Sequence, residues 1–171
     1  MSEYGGGKHT LDLSIDELMT PLLKFAKSEF ITASAAARRM VKQKSGVIIF
    51  LTASTVRGHV TGGTAIGTAF GAIESYMENL AYDIGPSGVR AVVLRITANA
   101  DSRSIQDIMD ARAAAQNVSK DEMVAWIANM NFLKVPMSVY DTAKAAAFLA
   151  SDHARLFTGT RVNAGASAGM D

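Results

Sequence analysis

The residues whose types suit chemistry are few and scattered. Arg57 and His59 lie on a loop just past a short apolar run, Val47-Ile48-Ile49-Phe50-Leu51, which continues into Thr52-Ala53-Ser54. If that run is a buried strand, the loop stands above its carboxyl end, where open parallel sheets bind ligands. Thr61-Gly62-Gly63-Thr64-Ala65-Ile66-Gly67 has the look of a phosphate-binding loop that opens a helix. Such a loop must follow directly on a buried strand. The preceding Arg57-Gly58-His59-Val60 is not one, so these glycines read as loop and packing residues. Asp141, Asp152 and the Asp121-Glu122 pair offer carboxylates, but each falls at an expected helix end, where capping accounts for it. Arg95 sits inside an apolar run and must pair with an acid, line a cleft or reach an interface.

Other chemistries lack their residues. There is no cysteine, which excludes disulfides and thiolate chemistry. His9, His59 and His153 are far apart and form no ligand spacing, so no metal site is expected. Gly5-Gly6-Gly7 has no strand before it and no helix after it, and does not make a phosphate cradle. Trp126, Met123, Met130 and Met137 are read as core or as a greasy partner surface.

A chain of 171 residues with a formal net charge of +1 can form one domain with a real core. It carries no global field to attract nucleic acid or an anionic membrane. Arg38, Arg39, Lys42 and Lys44 cluster where a helix ends, opposite the negative end of its dipole. The longest apolar run falls far short of a membrane span, and the first residues show no signal pattern. The expectation is a cytoplasmic protein.

The elements that must position these residues follow from periodicity. Residues 1–10 read as a flexible leader. Ser14 and Glu17 form a capping box for a long helix over about 15–42, with a bend expected near Pro21. Val47 opens a β-branched, continuously apolar run, as suits a strand buried on both faces. A helix over about 65–84 has Gly63, Gly67 and Gly71 four apart, which suggests close approach of another backbone. Gly85 is its expected C-terminal cap residue. A second buried strand spans 89–96. Helices over about 104–116, 120–129 and 139–149 follow, the last two opened by Ser119 and Ser138. A short strand spans 160–163, and 166–171 read as a tail. Strand, helix and parallel strand in this order make a right-handed crossover unit. The fold class is therefore α/β: a partial Rossmann-like fold, with a small parallel sheet flanked by helices, over residues 11–165.

The order of motifs resembles the C-terminal two-thirds of the short-chain dehydrogenase/reductase family. Leu13-Ser14-Ile15-Asp16-Glu17 is similar to the start of that family's long central helix. Ala35-Ala36-Ala37-Arg38-Arg39-Met40, then Ser45-Gly46-Val47-Ile48-Ile49, is similar to the helix end and fifth strand. Leu80-Ala81-Tyr82-Asp83-Ile84-Gly85-Pro86-Ser87-Gly88-Val89-Arg90 resembles the passage into the sixth strand. Phe148-Leu149-Ala150-Ser151-Asp152, then Phe157-Thr158-Gly159, resembles the closing signature.

The resemblance implies NAD(P)-linked oxidation or reduction of an alcohol or carbonyl, and the departures then carry the argument. The family's phosphate loop and first three strands have no counterpart ahead of Leu11. Its catalytic asparagine falls near Phe25, its serine on Ala53, and its Tyr-x-x-x-Lys pair on Ile66 and Phe70. Its Pro-Gly after the sixth strand falls on Ile96 and Thr97. Ile66 has no proton to give, and Phe70 no charge to lower a phenol's pKa. Ser54 neighbours the serine position, but one step along a strand reverses the side chain. The expectation is a non-catalytic subunit with no catalytic, cofactor-binding or metal-binding residues of its own. It would act in a homo- or hetero-oligomer, with an active NAD(P)-dependent enzyme as one candidate partner. The alternative is an oxidoreductase of an alcohol or carbonyl substrate whose cofactor half comes from another chain or from sequence missing from the one given. The Val47 strand would then have an open edge. The two long helices resemble the family's dimer-forming pair.

Overall fold

The computed structural model describes residues 8–57 and 62–166. Gly58, His59, Val60 and Thr61, residues 1–7 of the leader and residues 167–171 of the tail lie outside the described residues. The His59 ligand loop and the first residue of the glycine-rich segment therefore fall outside them too.

Three parallel strands lie in the order β1 (Gly46–Ala53), β2 (Val89–Ile96), β3 (Arg161–Asn163). Helices α1 (Ile15–Gln43) and α2 (Thr64–Ile84) precede and follow β1. Helices α3 (Arg103–Gln116), α4 (Lys120–Asn129) and α5 (Val139–Ala150) connect β2 to β3. The expected α/β class and the small flanked sheet are both present. β1 and β2 pair along their whole length, from Gly46 with Val89 to Ala53 with Ile96.

The side chains of the sheet divide by strand parity, as the pleat requires. Phe50, Val89, Ala91 and Val93 pack on one face with Ala33 and Ala37 of α1 and Ile73, Met77 and Ala81 of α2. On the other face Val92 and Leu94 pack with Leu149 of α5 and Ala154, with Val47 and Ile49 at the margin. A third, smaller cluster of Met109, Ala113, Met123 and Ile127 joins α3 to α4.

Local chemistry sets the boundaries. All three expected serine caps are formed, with Ser14 and Glu17, Ser119 and Glu122, and Ser138 and Asp141 bonding reciprocally. Each satisfies helix donors that would otherwise face water unpaired. α1 runs through Pro21, which is buried in its second turn. Two glycine readings are corrected. Gly85 stays right-handed and leads into a tight turn, Gly85–Ser87, and it is Gly88 that turns left-handed at φ 76°. A Cβ at Gly88 would also stand 2.8 Å from the Lys44 carbonyl oxygen. The backbone that approaches Gly67 belongs to the same chain: a Cβ there would stand 2.8 Å from the Thr55 carbonyl oxygen. Gly71 has no atom within that reach.

Candidate functional site

The carboxyl ends of the three strands meet at Thr52-Ala53-Ser54, Arg95-Ile96-Thr97 and Asn163-Ala164-Gly165. α2 starts beyond β1 and passes over this end, and α1 lies beside it. Ala53, Ser54, Ile96 and Thr97 therefore stand at this end of the sheet, whereas Asp152 lies at the opposite end, with Gly46 and Val89.

What fills those positions is apolar on one side. Phe25 of α1 and Phe70 of α2 are in direct contact, with ring centroids 5.4 Å apart and planes tilted by 49°. Both are half-buried against the α1–α2 core. Ile66, one turn before Phe70, and Ala53 at the end of β1 are also half-buried. None of these four side chains can donate, accept or stabilise a proton.

Ser54 is buried, and its hydroxyl is committed: Oγ donates to the Ile96 carbonyl oxygen at 3.0 Å. It clips the end of β1 to the end of β2. A Cβ on Gly165 would lie 3.2 Å from that Oγ and 3.1 Å from the Thr97 nitrogen. The backbone after β3 therefore closes over the strand ends.

Charge lies one turn further along α2. Glu74 and Arg95 are both almost wholly buried, at 3% and 0% exposure. Arg95 Nε donates to Glu74 Oε1 at 3.1 Å, and its Nη2 donates to Oε2 at 2.8 Å. Thr52 Oγ1 donates to Oε1 at 3.0 Å. Arg161 brings its Nε within 3.0 Å of Oε2, an ion contact without hydrogen-bond alignment, and its Nη2 pairs with Glu78. Of the three fates open to Arg95, pairing with an acid is the one observed. The partner is 21 residues away in sequence, and both groups are consumed in holding α2 to the sheet. A buried forked pair of this kind is a geometric lock whose net stabilisation is small.

The remaining carboxylates have structural work. Asp141 is held below its ordinary range by the Ser138 hydroxyl, then by the Ser138 backbone and Lys144. Glu122 is lowered in the same way by the Ser119 backbone and hydroxyl. Asp152 opens a short helical turn, Asp152–Ala154. A cleft of about 370 Å³ between α3, α4 and the chain before α5 is lined by Met109, Val124, Pro136 and Met137, with Asp101, Lys120 and Ser138 at its rim. Asp101 accepts from the Val139 amide, Lys120 pairs with Asp110, and Ser138 bonds Asp141. Among the described residues no group of His, Asp or Glu side chains could hold a metal ion.

A dinucleotide needs a glycine-rich turn that leads from a strand straight into a helix N-terminus. No described strand makes that passage: β1 is followed by a helical turn, Ser54–Val56, and α2 starts only at Thr64. Gly67 makes room for the Thr55 carbonyl, and Gly165 makes room for the strand ends.

Comparison with known proteins explains the frame. A family model described as enoyl-(acyl carrier protein) reductase matches residues 4–166. The chain is 28% identical over 137 residues to short chain aldehyde dehydrogenase 1 of Euphorbia lathyris, which covers 76% of this chain and 45% of the relative. It superposes on sorbitol-6-phosphate 2-dehydrogenase from Erwinia amylovora with a TM-score of 0.86 at 17% identity, covering 98% of this chain and 66% of that one. For NAD+-bound xylitol dehydrogenase the TM-score is 0.81 at 18% identity, with 94% and 63% covered. The chain thus spans under half the length of that curated relative and less than two-thirds of these solved chains. The matched region, its parallel sheet and its run of helices together make this chain a member of the short-chain dehydrogenase/reductase family.

Proposed function

We propose that this chain is a non-catalytic member of its family, a pseudoenzyme subunit that works by assembling with an active NAD(P)-dependent oxidoreductase in the cytoplasm. The contact between Phe25 and Phe70 carries the reading. Two positions where the family resemblance calls for an amide and an ammonium instead stack two hydrocarbon rings. Ile66 and Ala53, at the other two such positions, bring no acid or base either. One turn further along α2, Glu74 is paired with Arg95 and Arg161.

The partner surface fits the two long helices. Leu23, Phe30 and Ile31 of α1 and Tyr82 of α2 are exposed. Gly71 on α2 leaves open space where another backbone can approach closely. Exposed apolar side chains along paired helices are the usual material of a helical interface. Among the described residues no helix is long and apolar enough to cross a membrane, which agrees with assembly in solution.

A second reading has its own support in the lengths of the relatives. A chain that spans 45% of its curated relative fits an oxidoreductase whose cofactor half lies on another polypeptide or in sequence beyond the one given. That reading still requires an acid to replace Ile66. Native mass spectrometry of the protein from its own cells, followed by NADH and NADPH titration, separates the two. The proposed role predicts a heteromer in which the partner alone binds the nucleotide. A lone chain that binds NADPH with micromolar affinity would overturn it.

A further inference from the structure

After Thr160 the chain crosses the carboxyl ends of the strands and is held there by dissimilar contacts. β3 is only three residues long, and its apolar anchors, Val162 and the following Ala164, are half-buried. Ala164 donates its amide to the Arg95 carbonyl oxygen at 2.8 Å. Gly165 has no side chain, which lets the backbone close on Ser54 and Thr97. On the α2 side Arg161 meets two acids one turn apart, the buried Glu74 with its Nε and Glu78 with its Nη2. The inner contact is imperfect, because Nε is buried without a hydrogen-bond partner among the described residues. The outer contact is open to solvent, with the Arg161 and Glu78 side chains 33% and 38% exposed. The segment ends at Ala166, whose carbonyl oxygen accepts from the Phe132 amide at 2.9 Å. Phe132 and its neighbour Leu133 lie on the loop between α4 and α5 and are 67% and 70% exposed, so their side chains do not anchor it. Ala166 at φ 50° and Lys134 at φ 58° are left-handed, a region that a Cβ disfavours. Strain thus sits on both sides of the bond that joins the segment to the loop.

We propose that residues 161–166 are a releasable strap, latched to α2 by Arg161 and coupled to the 130–137 loop through the bond between Phe132 and Ala166. When latched, the strap covers the carboxyl ends of β1 and β2, the place where open parallel sheets receive ligands. When released, it uncovers Ser54 and Thr97 and frees the loop. α1, β1, α2 and β2 meanwhile keep a core to which β3 contributes nothing. A segment with little buried apolar surface belongs to the low-stability end of a fold and opens without the rest. The control is ionic. Salt screens the half-exposed pair of Arg161 and Glu78, and screens the buried pair of Glu74 and Arg95 much less. Glu78 is therefore the handle of the latch and Glu74 its fixed anchor. The strap is a property of this chain alone and does not rest on the assembly reading.

Residue-level hydrogen exchange on the full chain tests the strap, with the Ala164 and Phe132 amides as reporters. Glu78→Gln keeps the shape of the side chain and removes its charge. Both reporters should then exchange about tenfold faster or more, by similar factors. The amides that pair β1 with β2, and the melting profile, should stay as in the parent. Raising the ionic strength of the parent from about 0.1 M to about 1 M cuts the screening length from about 10 Å to about 3 Å. The same two amides should accelerate, and the variant should show little further change. If only one reporter responds, strap and loop are not coupled. If neither responds to charge removal or to salt, Arg161 and Glu78 are not a latch. If the amides between β1 and β2 accelerate by the same factor, the whole fold has loosened and there is no separate strap. Should Glu78→Gln fail to fold, the salt series on the parent decides among the same outcomes.

Discussion

Phe70 and Glu74 stand one turn apart on α2 and live in opposite surroundings. Phe70 meets another ring at a place where the family resemblance calls for a cation. Glu74 is a carboxylate at 3% exposure, gripped by Arg95, Thr52 and Arg161. A buried charge is costly unless paired, whereas a ring pair needs no partner beyond its contact area. The contrast shows that this end of the sheet tolerates ionic groups but uses them internally.

The first way to break this contrast is to remove the carboxylate. Glu74→Ala leaves the Arg95 guanidinium buried without its counter-ion, and should cost about 3–5 kcal/mol of stability in urea unfolding. Glu74→Leu combined with Arg95→Met should recover most of that loss, because an apolar pair of similar volume is tolerated. If the double variant is as unstable as the single one, the pair does more than lock α2 to the sheet. The second test concerns the rings. Phe25→Ala and Phe70→Ala, alone and together, should give a coupling of about 0.5–1.5 kcal/mol in a double-mutant cycle. A coupling near zero would mean that the two rings merely lie side by side.

The smallest effect is an acid-side one. Glu17 is lowered from 4.5 to about 2, first by its hydrogen bond from Lys8 and then by the Ser14 backbone. A carboxyl whose folded pKa is depressed adds stability that is complete above 4.5 and fades as the pH falls toward 2. Glu17→Gln should therefore flatten the stability profile in that window and leave its slope at neutral pH unchanged. Glu29 behaves with the opposite sign, because burial raises its pKa. It favours folding at low pH, and that contribution is lost as the pH rises through its folded value.

Much of the frame was legible from short-range chemistry. The serine caps at Ser14, Ser119 and Ser138 fixed three helix starts, because each capping bond closes over only three residues. The continuous apolar runs placed β1 and β2 for the same kind of reason: burial on both faces leaves no room for polar alternation. Contacts between distant segments were not legible. Arg95 was evidently out of place in an apolar strand, but nothing in the sequence named Glu74 as its partner. The glycine row at 63, 67 and 71 signalled close approach without saying to what, and at Gly67 the answer was the chain's own Thr55 carbonyl. Gly85 follows the helix directly, where a left-handed cap residue is usual, but a tight turn intervenes and the left-handed residue is Gly88. The empty chemistry at Ala53, Ile66 and Phe70 came from the family resemblance. The structure added that Phe25 and Phe70 touch.

The register of the sheet also governs how this chain reaches its fold. Gly46 pairs with Val89 and Val93 with Arg161, so the two ladders close loops of about 40 and 70 residues. The extra closure entropy of the longer loop is slight, less than about 0.6 kcal/mol. Its return is much smaller, however: three residue pairs, against eight for the shorter loop. The α1–β1–α2–β2 unit should therefore form the folding nucleus, with β3 and the helices before it docking later. Until then the side of β2 that receives β3 is exposed in a slowly forming parallel sheet, where collapse with another chain competes with completion of its own.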